Sequence, residues 1–160
     1  MNYKIQDIQS SHDQKMRSII KQVGQEFGAI GDGFGPSDQE VEAMSQYYND
    51  ASNSCYLVAS IDGEVVGGSG IASFNGDPDV CELRKLFLLK ESRSLGLGKK
   101  LTEQCLSYAT QKGYKRCYLD TLGNMTSAIA LYEKLGFKHL DKPLAGTIHN
   151  GCDVWMLKEL

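Results

Sequence analysis

In this 160-residue chain, Arg93-Ser94-Leu95-Gly96-Leu97-Gly98-Lys99-Lys100 is the stretch whose residue types and spacing point most directly to chemistry. An apolar run from Leu83 to Leu89 leads into it, and an amphipathic pattern from Leu97 to Ala109 leads out. Strand, glycine-bearing turn and helix start make an anion site. The first backbone N–H groups of a helix lack internal partners, and the helix dipole places partial positive charge there. Gly96 and Gly98 carry no Cβ to hold a phosphate away, and Arg93, Lys99 and Lys100 add cationic charge. A glycine pair alone marks only a loop. Two known phosphate loops fail the test. The P-loop pattern requires Gly at position 93 and Ser or Thr at position 100, where this chain has Arg and Lys; the Rossmann turn requires a third glycine where Leu101 stands.

The pattern that does fit is [Arg/Gln]-x-x-Gly-x-[Gly/Ala] after a hydrophobic strand. It resembles the pyrophosphate loop of the GNAT superfamily of acyl-CoA-dependent N-acyltransferases. Downstream, the run from Asn124 through Ala128, Leu131 and Tyr132 to Gly136-Phe137 resembles that superfamily's second half-site, with the alanine one place later than usual. The two motifs, in order, cover Glu82 to Phe137.

The resemblance implies a mechanism and a set of residues. Acetyl-CoA is the implied cosubstrate, its pyrophosphate held by Arg93, Ser94, Leu95, Gly96, Leu97, Gly98 and Lys99. The pantetheine arm pairs with the main chain of Phe87 and Leu88, where the strands at 80–88 and 116–121 splay apart. Asn124 either bonds that arm or caps the helix that follows; the two roles are compatible. The Leu88 N–H is the candidate oxyanion donor, a group whose loss costs ~3–4 kcal/mol. Tyr132 shares a helix face with Ala128, Ile129 and Leu135 and is the candidate acid for the leaving thiolate, against the plainer role of a packed tyrosine. An alkylammonium has a pKa of about 10 and must lose a proton before attack. Glu82 is the candidate base: strand alternation puts it on one face with Arg84, Leu86 and Leu88, although a surface pair with Arg84 fits the same parity. Asp120 and His149 are held in reserve. Lys99 and Lys134 either reach the phosphates or stay solvated. No metal is implied.

These groups need elements to position them. A first strand is expected over about 2–7, and a helix follows a Ser11–Gln14 capping box, with Met16, Ile19, Ile20, Val23 and Phe27 at helical spacing. His12 is given no role. Gly31-Asp32-Gly33-Phe34-Gly35-Pro36 is a loop, and Ser37-Asp38-Gln39-Glu40 is expected to cap a second helix. Acidic residues in and around the loop, Glu26 among them, either are solvated or wall a site for a cationic acceptor, with Phe34 folding over it. Three antiparallel strands follow at 54–61, 64–73 and 80–88, with an Asp62-Gly63 hairpin turn. The Gly67-Gly68-Ser69-Gly70 run marks a bulge or a close ligand approach. A third helix to Lys112, a strand at 116–121, a fourth helix ending at Gly136, and strands at 137–140 and 152–158 complete the chain. Periodicity alone gives α+β or mixed α/β; the resemblance implies the GNAT order β-α-α-β-β-β-α-β-α-β-β in a mixed sheet.

Length favours one domain over 1–160. Hydrophobic residues at 41% and charged residues at 23% are ordinary for a globular protein. The net charge of −3 comes without a basic patch, which disfavours nucleic acid, and no apolar run would span a bilayer. The five scattered cysteines form no C-x-x-C pair, and a secretory start is lacking; together they suggest reduced thiols and a cytoplasmic protein. Cys152 lacks a companion His-Asp pair, so it is not read as a nucleophile. The expected activity is direct transfer of an acetyl group to a primary amine, on a small molecule or a protein, in a ternary complex. The alternative is a catalytically silent acyl-CoA sensor, and a generic nucleotide-binding domain is disfavoured by the failed glycine templates. A homodimer is left open.

Overall fold

The computed structural model describes residues 2–160. Seven strands form one sheet in the order β1-β2-β3-β4-β5-β7-β6. They are β1 (Tyr3–Asp7), β2 (Cys55–Ile61), β3 (Glu64–Ser73), β4 (Val80–Leu88), β5 (Arg116–Thr121), β6 (Lys138–His139) and β7 (Val154–Glu159). The helices are α1 (Asp13–Glu26), α2 (Leu97–Gln111) and α3 (Thr126–Lys134). All strand pairs are antiparallel except β4 and β5, whose parallel pairing requires the crossover through α2. Among the described residues, no helix is long and apolar enough to cross a membrane.

Each face of the sheet buries its own core. On one side, Met16, Ile19, Ile20 and Val23 of α1 pack with Val41, Met44 and Tyr48 onto Tyr56, Val58, Phe87 and Leu89. On the other, Leu97, Leu101, Cys105 and Ala109 of α2, with Tyr132 of α3, pack onto strand residues that include Ile71, Cys81, Leu83, Cys117 and Met156. Four of the cysteines are therefore buried apolar residues, and Cys152 is half-buried.

Three local expectations change. The second helix is a run of 3₁₀ turns, Gln39–Gln46, broken at Ala43 (φ −154°, ψ 72°). Its expected cap makes no side-chain bond; Asp38 and Glu40 instead turn inward to Lys85 and Arg84, so ion pairing across the fold overrides the local helix signal. At α1 the Ser11–Gln14 box gives way to a 3₁₀ turn in which the Gln9 N–H donates to His12 Nδ1 at 3.0 Å, so His12 acquires a capping role. The glycines of β3 make room for protein rather than ligand: a Cβ on Gly68 or Gly70 would fall 2.6 Å from the Tyr56 ring. The bulge itself is present, with two residues of β4 opposite Ser69.

That bulge has a large effect on the site. Lys85 takes φ +52°, a strained conformation for a residue with a side chain, and its carbonyl accepts a bond from the Tyr56 hydroxyl at 2.7 Å. Side-chain parity reverses across it. Cys81 and Leu83 pack on the α2 side, and so do Leu86 and Leu88, which places Glu82 on the opposite face. The expected sharing of a face by Glu82, Leu86 and Leu88 is thus corrected.

Candidate active site

β4 and β5 pair only from Val80 to Glu82, opposite Arg116 to Tyr118. Beyond that point the strands part, and a cavity opens between them, lined by Glu82, Leu86, Phe87, Asp120, Tyr132 and His149. Because the gap passes through the sheet, Glu82 reaches it from the α1 side and Tyr132 from the α3 side. Along β4, the Leu89 N–H donates to Val66 O at 2.9 Å. Leu88 and Gly67 are then a non-hydrogen-bonded pair, so the Leu88 N–H points away from β3 and towards the gap.

A groove of about 340 Å³ runs from this gap to the start of α2. Ser94 (φ +68°) and Gly96 (φ +83°) turn the chain so that α2 begins with its N–H groups at the groove. Gly96 is explained by that left-handed conformation, since a Cβ there would meet nothing within 4 Å. Lys99 is exposed at the rim, and Val23, Phe27 and Leu131 form apolar wall. Leu95 is exposed and Leu97 is buried against α2's own core.

Arg93 is arranged differently from the expectation. Its Nε donates to Leu88 O at 3.0 Å, and its two terminal nitrogens bind Glu26 at 2.6 and 2.8 Å. The guanidinium thus locks the end of β4 to α1. Glu26, expected at the acceptor wall, is instead Arg93's partner beside the groove. Asn124 is not a helix cap: Met125 holds that position, and the Asn124 amide donates to Phe27 O at 2.9 Å, linking α3 to α1 across the groove. Lys134 is exposed and does not line the groove.

Charged groups crowd one wall of the inner cavity. Glu82 is 6% exposed, with Oε1 accepting from Arg84 Nε at 2.9 Å. Its Oε2 has His149 Nδ1 as a charged neighbour at 3.8 Å, too far for a hydrogen bond. Burial raises the Glu82 pKa, against the lowering influence of Arg84. His149 Nδ1 lies 2.9 Å from Asp120 Oδ1 and its Nε2 lies 2.7 Å from Asp38 Oδ2. Burial would lower the His149 pKa, but the bonds to Asp120 and Asp38 outweigh it and lift it to about 10. Glu82, Asp120 and His149 offer ligand atoms within 4.8 Å of one another. A cation entering there would have to displace a carboxylate from the ring. Burial, aided by Asp120, pushes the Cys152 thiol up to about 12, which disfavours a thiolate. Tyr132 is buried against Phe137, ring centroids 5.7 Å apart, and burial holds its hydroxyl protonated well beyond the usual range.

Two loops roof this cavity. The Gly151 N–H donates to Gly33 O at 2.9 Å, and the Phe34 ring lies on Gly151 so closely that a Cβ there would be 2.5 Å from it. Phe34 thus lines the cavity and is packed against the opposite loop. The sequence held His149 and Asp120 only in reserve, offered Arg84 as a partner of Glu82 and Asp38 as one of the loop acids, and singled out neither Lys85 nor the partly buried network that joins them. Two adjacent cations inside a strand, Arg84-Lys85, with acidic residues in a distant loop were the available signal.

The chain matches the family model described as the acetyltransferase (GNAT) family over residues 25–137. It is 43% identical over 144 residues to the N-acetyltransferase YjgM of Escherichia coli K12, itself uncharacterised, covering 89% of this chain and 86% of that one. Among solved structures, a GNAT-family acetyltransferase of Staphylococcus aureus Mu50 superposes with a TM-score of 0.84 at 20% identity, covering 99% of both chains. A GNAT-superfamily phosphinothricin acetyltransferase from Sinorhizobium meliloti, solved with acetyl-CoA, superposes with a TM-score of 0.77 at 20% identity, covering 100% of this chain and 89% of that one.

Proposed function

Because this chain belongs to the GNAT acetyltransferase family, whose cosubstrate is acetyl-CoA, we propose that it acetylates a primary amine by direct attack in a ternary complex. The observation that carries this reading is the gap between β4 and β5. There Glu82 and Tyr132 line the inner cavity, and Leu88, with its N–H turned away from β3, lines the groove from α2 where it adjoins that cavity at Leu86 and Phe87.

Acetyl-CoA supplies an activated acetyl thioester. The groove suits it: N–H groups at the start of α2 and Lys99 face its anionic end, while the register turns the Phe87 main chain to Gly68 of β3, correcting its expected role, and leaves the Leu88 N–H on the gap side for the bound thioester. The Leu88 N–H stabilises the carbonyl oxygen as negative charge develops there. Glu82, acting directly or through a water, takes a proton from the acceptor's ammonium so that the neutral amine can attack; its raised pKa makes it a stronger base than a free carboxylate. Tyr132, protonated at neutral pH, delivers a proton to the departing sulfur. Arg93 positions the end of β4 rather than neutralising phosphate by itself. The acceptor approaches beneath the roof formed by the loops around Phe34 and Gly151.

The test is a panel of amines, from polyamines and amino acids to lysine peptides, assayed with acetyl-CoA by free-thiol release. Intersecting double-reciprocal lines and an acetylated amine support the reading. A ping-pong pattern with acetyl trapped on Cys152 refutes direct transfer.

A further inference from the structure

His149 has no lone pair to offer. A ring nitrogen within hydrogen-bond distance of an ionised carboxylate oxygen must donate, because that oxygen only accepts. Both ring nitrogens of His149 are so placed, against Asp120 at 2.9 Å and Asp38 at 2.7 Å. Each carboxylate also accepts from a further donor. Asp38 Oδ2 accepts from Lys85 Nζ at 2.8 Å, and Asp120 Oδ2 accepts from Thr147 Oγ1 at 2.6 Å. The ring therefore carries two hydrogens and a full positive charge, and it is only 8% exposed.

That charge joins three parts of the fold. Asp120 stands near the end of β5, Asp38 belongs to the roof loop, and Glu82 Oε2 on β4 lies 3.8 Å from Nδ1. The other charged or titratable groups facing the cluster are already engaged or neutral. Arg84 binds Glu82 and Glu40; Lys85 binds Asp38 and Glu40; the Tyr118 hydroxyl lies 3.5 Å from Asp120; Cys152 is a thiol.

We propose that His149 is a positioning residue: an imidazolium clamp that ties the Asp38 roof loop to the end of β5 and keeps the free oxygen of Glu82 anionic. It is not the proton acceptor. The proposal rests on the reading of Glu82 as the base, and the two can fail separately.

The clamp can be tested on the free protein. In ¹⁵N-histidine-labelled enzyme, the His149 ring keeps both hydrogens from about pH 6 to 9, where an unperturbed histidine loses one. A neutral ring near pH 7 overturns the proposal, and this arm needs no variant. In protein carrying ¹³C-carboxyl glutamate, His149→Gln moves the Glu82 titration upward by roughly one to three pH units, the usual effect of removing an opposite charge at that range. Asp120→Asn moves it the other way, because a like charge has been removed, and serves if His149→Gln does not fold. An unmoved Glu82 midpoint overturns the electrostatic part. Kinetically, with the best amine of the panel, the acid limb of kcat/KM follows the same upward shift in His149→Gln. A merely structural role lowers activity without moving the limb. If Glu82→Gln retains the limb, the assignment of Glu82 as base fails, while the imidazolium result stands on its own.

Discussion

Gly67 offers a direct test of whether the end of β4 is positioned for catalysis. A Cβ on Gly67 would fall 2.3 Å from Phe87 O, 2.5 Å from Leu88 Cδ2 and 3.0 Å from Leu88 Cα. Real Cβ contacts below 3.0 Å are essentially never seen, so in Gly67→Ala the Phe87 carbonyl must retreat by about 0.7 Å or more. The retreating atoms belong to the segment proposed to hold the bound thioester and its oxyanion. A 1 Å misplacement at such a site costs about 100-fold. Gly67→Ala should therefore lower kcat roughly 10- to 100-fold, about 1.4 to 2.7 kcal/mol of barrier. Overpacking should also destabilise the fold by about 1–3 kcal/mol, lowering Tm by roughly 2 to 12 °C. The control is Gly63→Ala in the hairpin turn, where φ is +86° but no atom lies within 4 Å of the new Cβ. It should cost about 1 kcal/mol of stability and leave kcat alone. The assay is thiol release at saturating acetyl-CoA, beside a thermal melt and a calorimetric titration of acetyl-CoA. A folded Gly67→Ala enzyme with kcat within twofold of wild type would refute the reasoning, because the Leu88 segment would then have moved without consequence.

The other predictions concern the site and its charges. Tyr132→Phe keeps the packing against Phe137 and removes only the hydroxyl; kcat should fall roughly 100-fold or more with acetyl-CoA affinity unchanged, and an unaltered rate removes Tyr132 from the mechanism. Glu82→Gln should lower kcat/KM by about 10²- to 10⁴-fold and abolish an acid limb that in wild type lies above the ordinary carboxylate value of 4.5. Glu26→Ala releases the Arg93 guanidinium from its bidentate partner; it should weaken acetyl-CoA binding by loosening the end of β4, and calorimetry showing wild-type affinity would mean that the pair is incidental. The pH dependence of stability should carry the signature of His149. Its folded pKa is raised from 6.5 to about 10, so its contribution is complete below 6.5 and is lost as pH rises towards 10. Within that window stability should fall by up to about 1.4 kcal/mol per pH unit, and denaturant melts of His149→Gln should lose this component.

The strand order along the chain and the family were legible in the sequence because they depend on local rules. Alternation and turn residues mark β2 to β4, and the Arg93–Gly98 loop needs only a strand before it and a helix after it. Asn124 to Phe137 carries its pattern along one helix. What the sequence could not decide is where pairing stops and which charges meet. Strand parity put Glu82 with Leu86 and Leu88, yet one bulged residue, Lys85, reversed the faces; the bulge lies where β4 meets Tyr56 of β2 and the glycines of β3, partners that the β4 sequence does not name. The helix signal at Ser37–Glu40 lost to ion pairs with Arg84 and Lys85, which lie more than forty residues further along. Arg93 and Glu26 became partners, and His149 became a charge held between Asp38 and Asp120, for the same reason. Local propensity is worth tenths of a kcal/mol per residue. A charge taken out of water must find an opposite charge or change its protonation, and only the folded chain determines which partner is within reach.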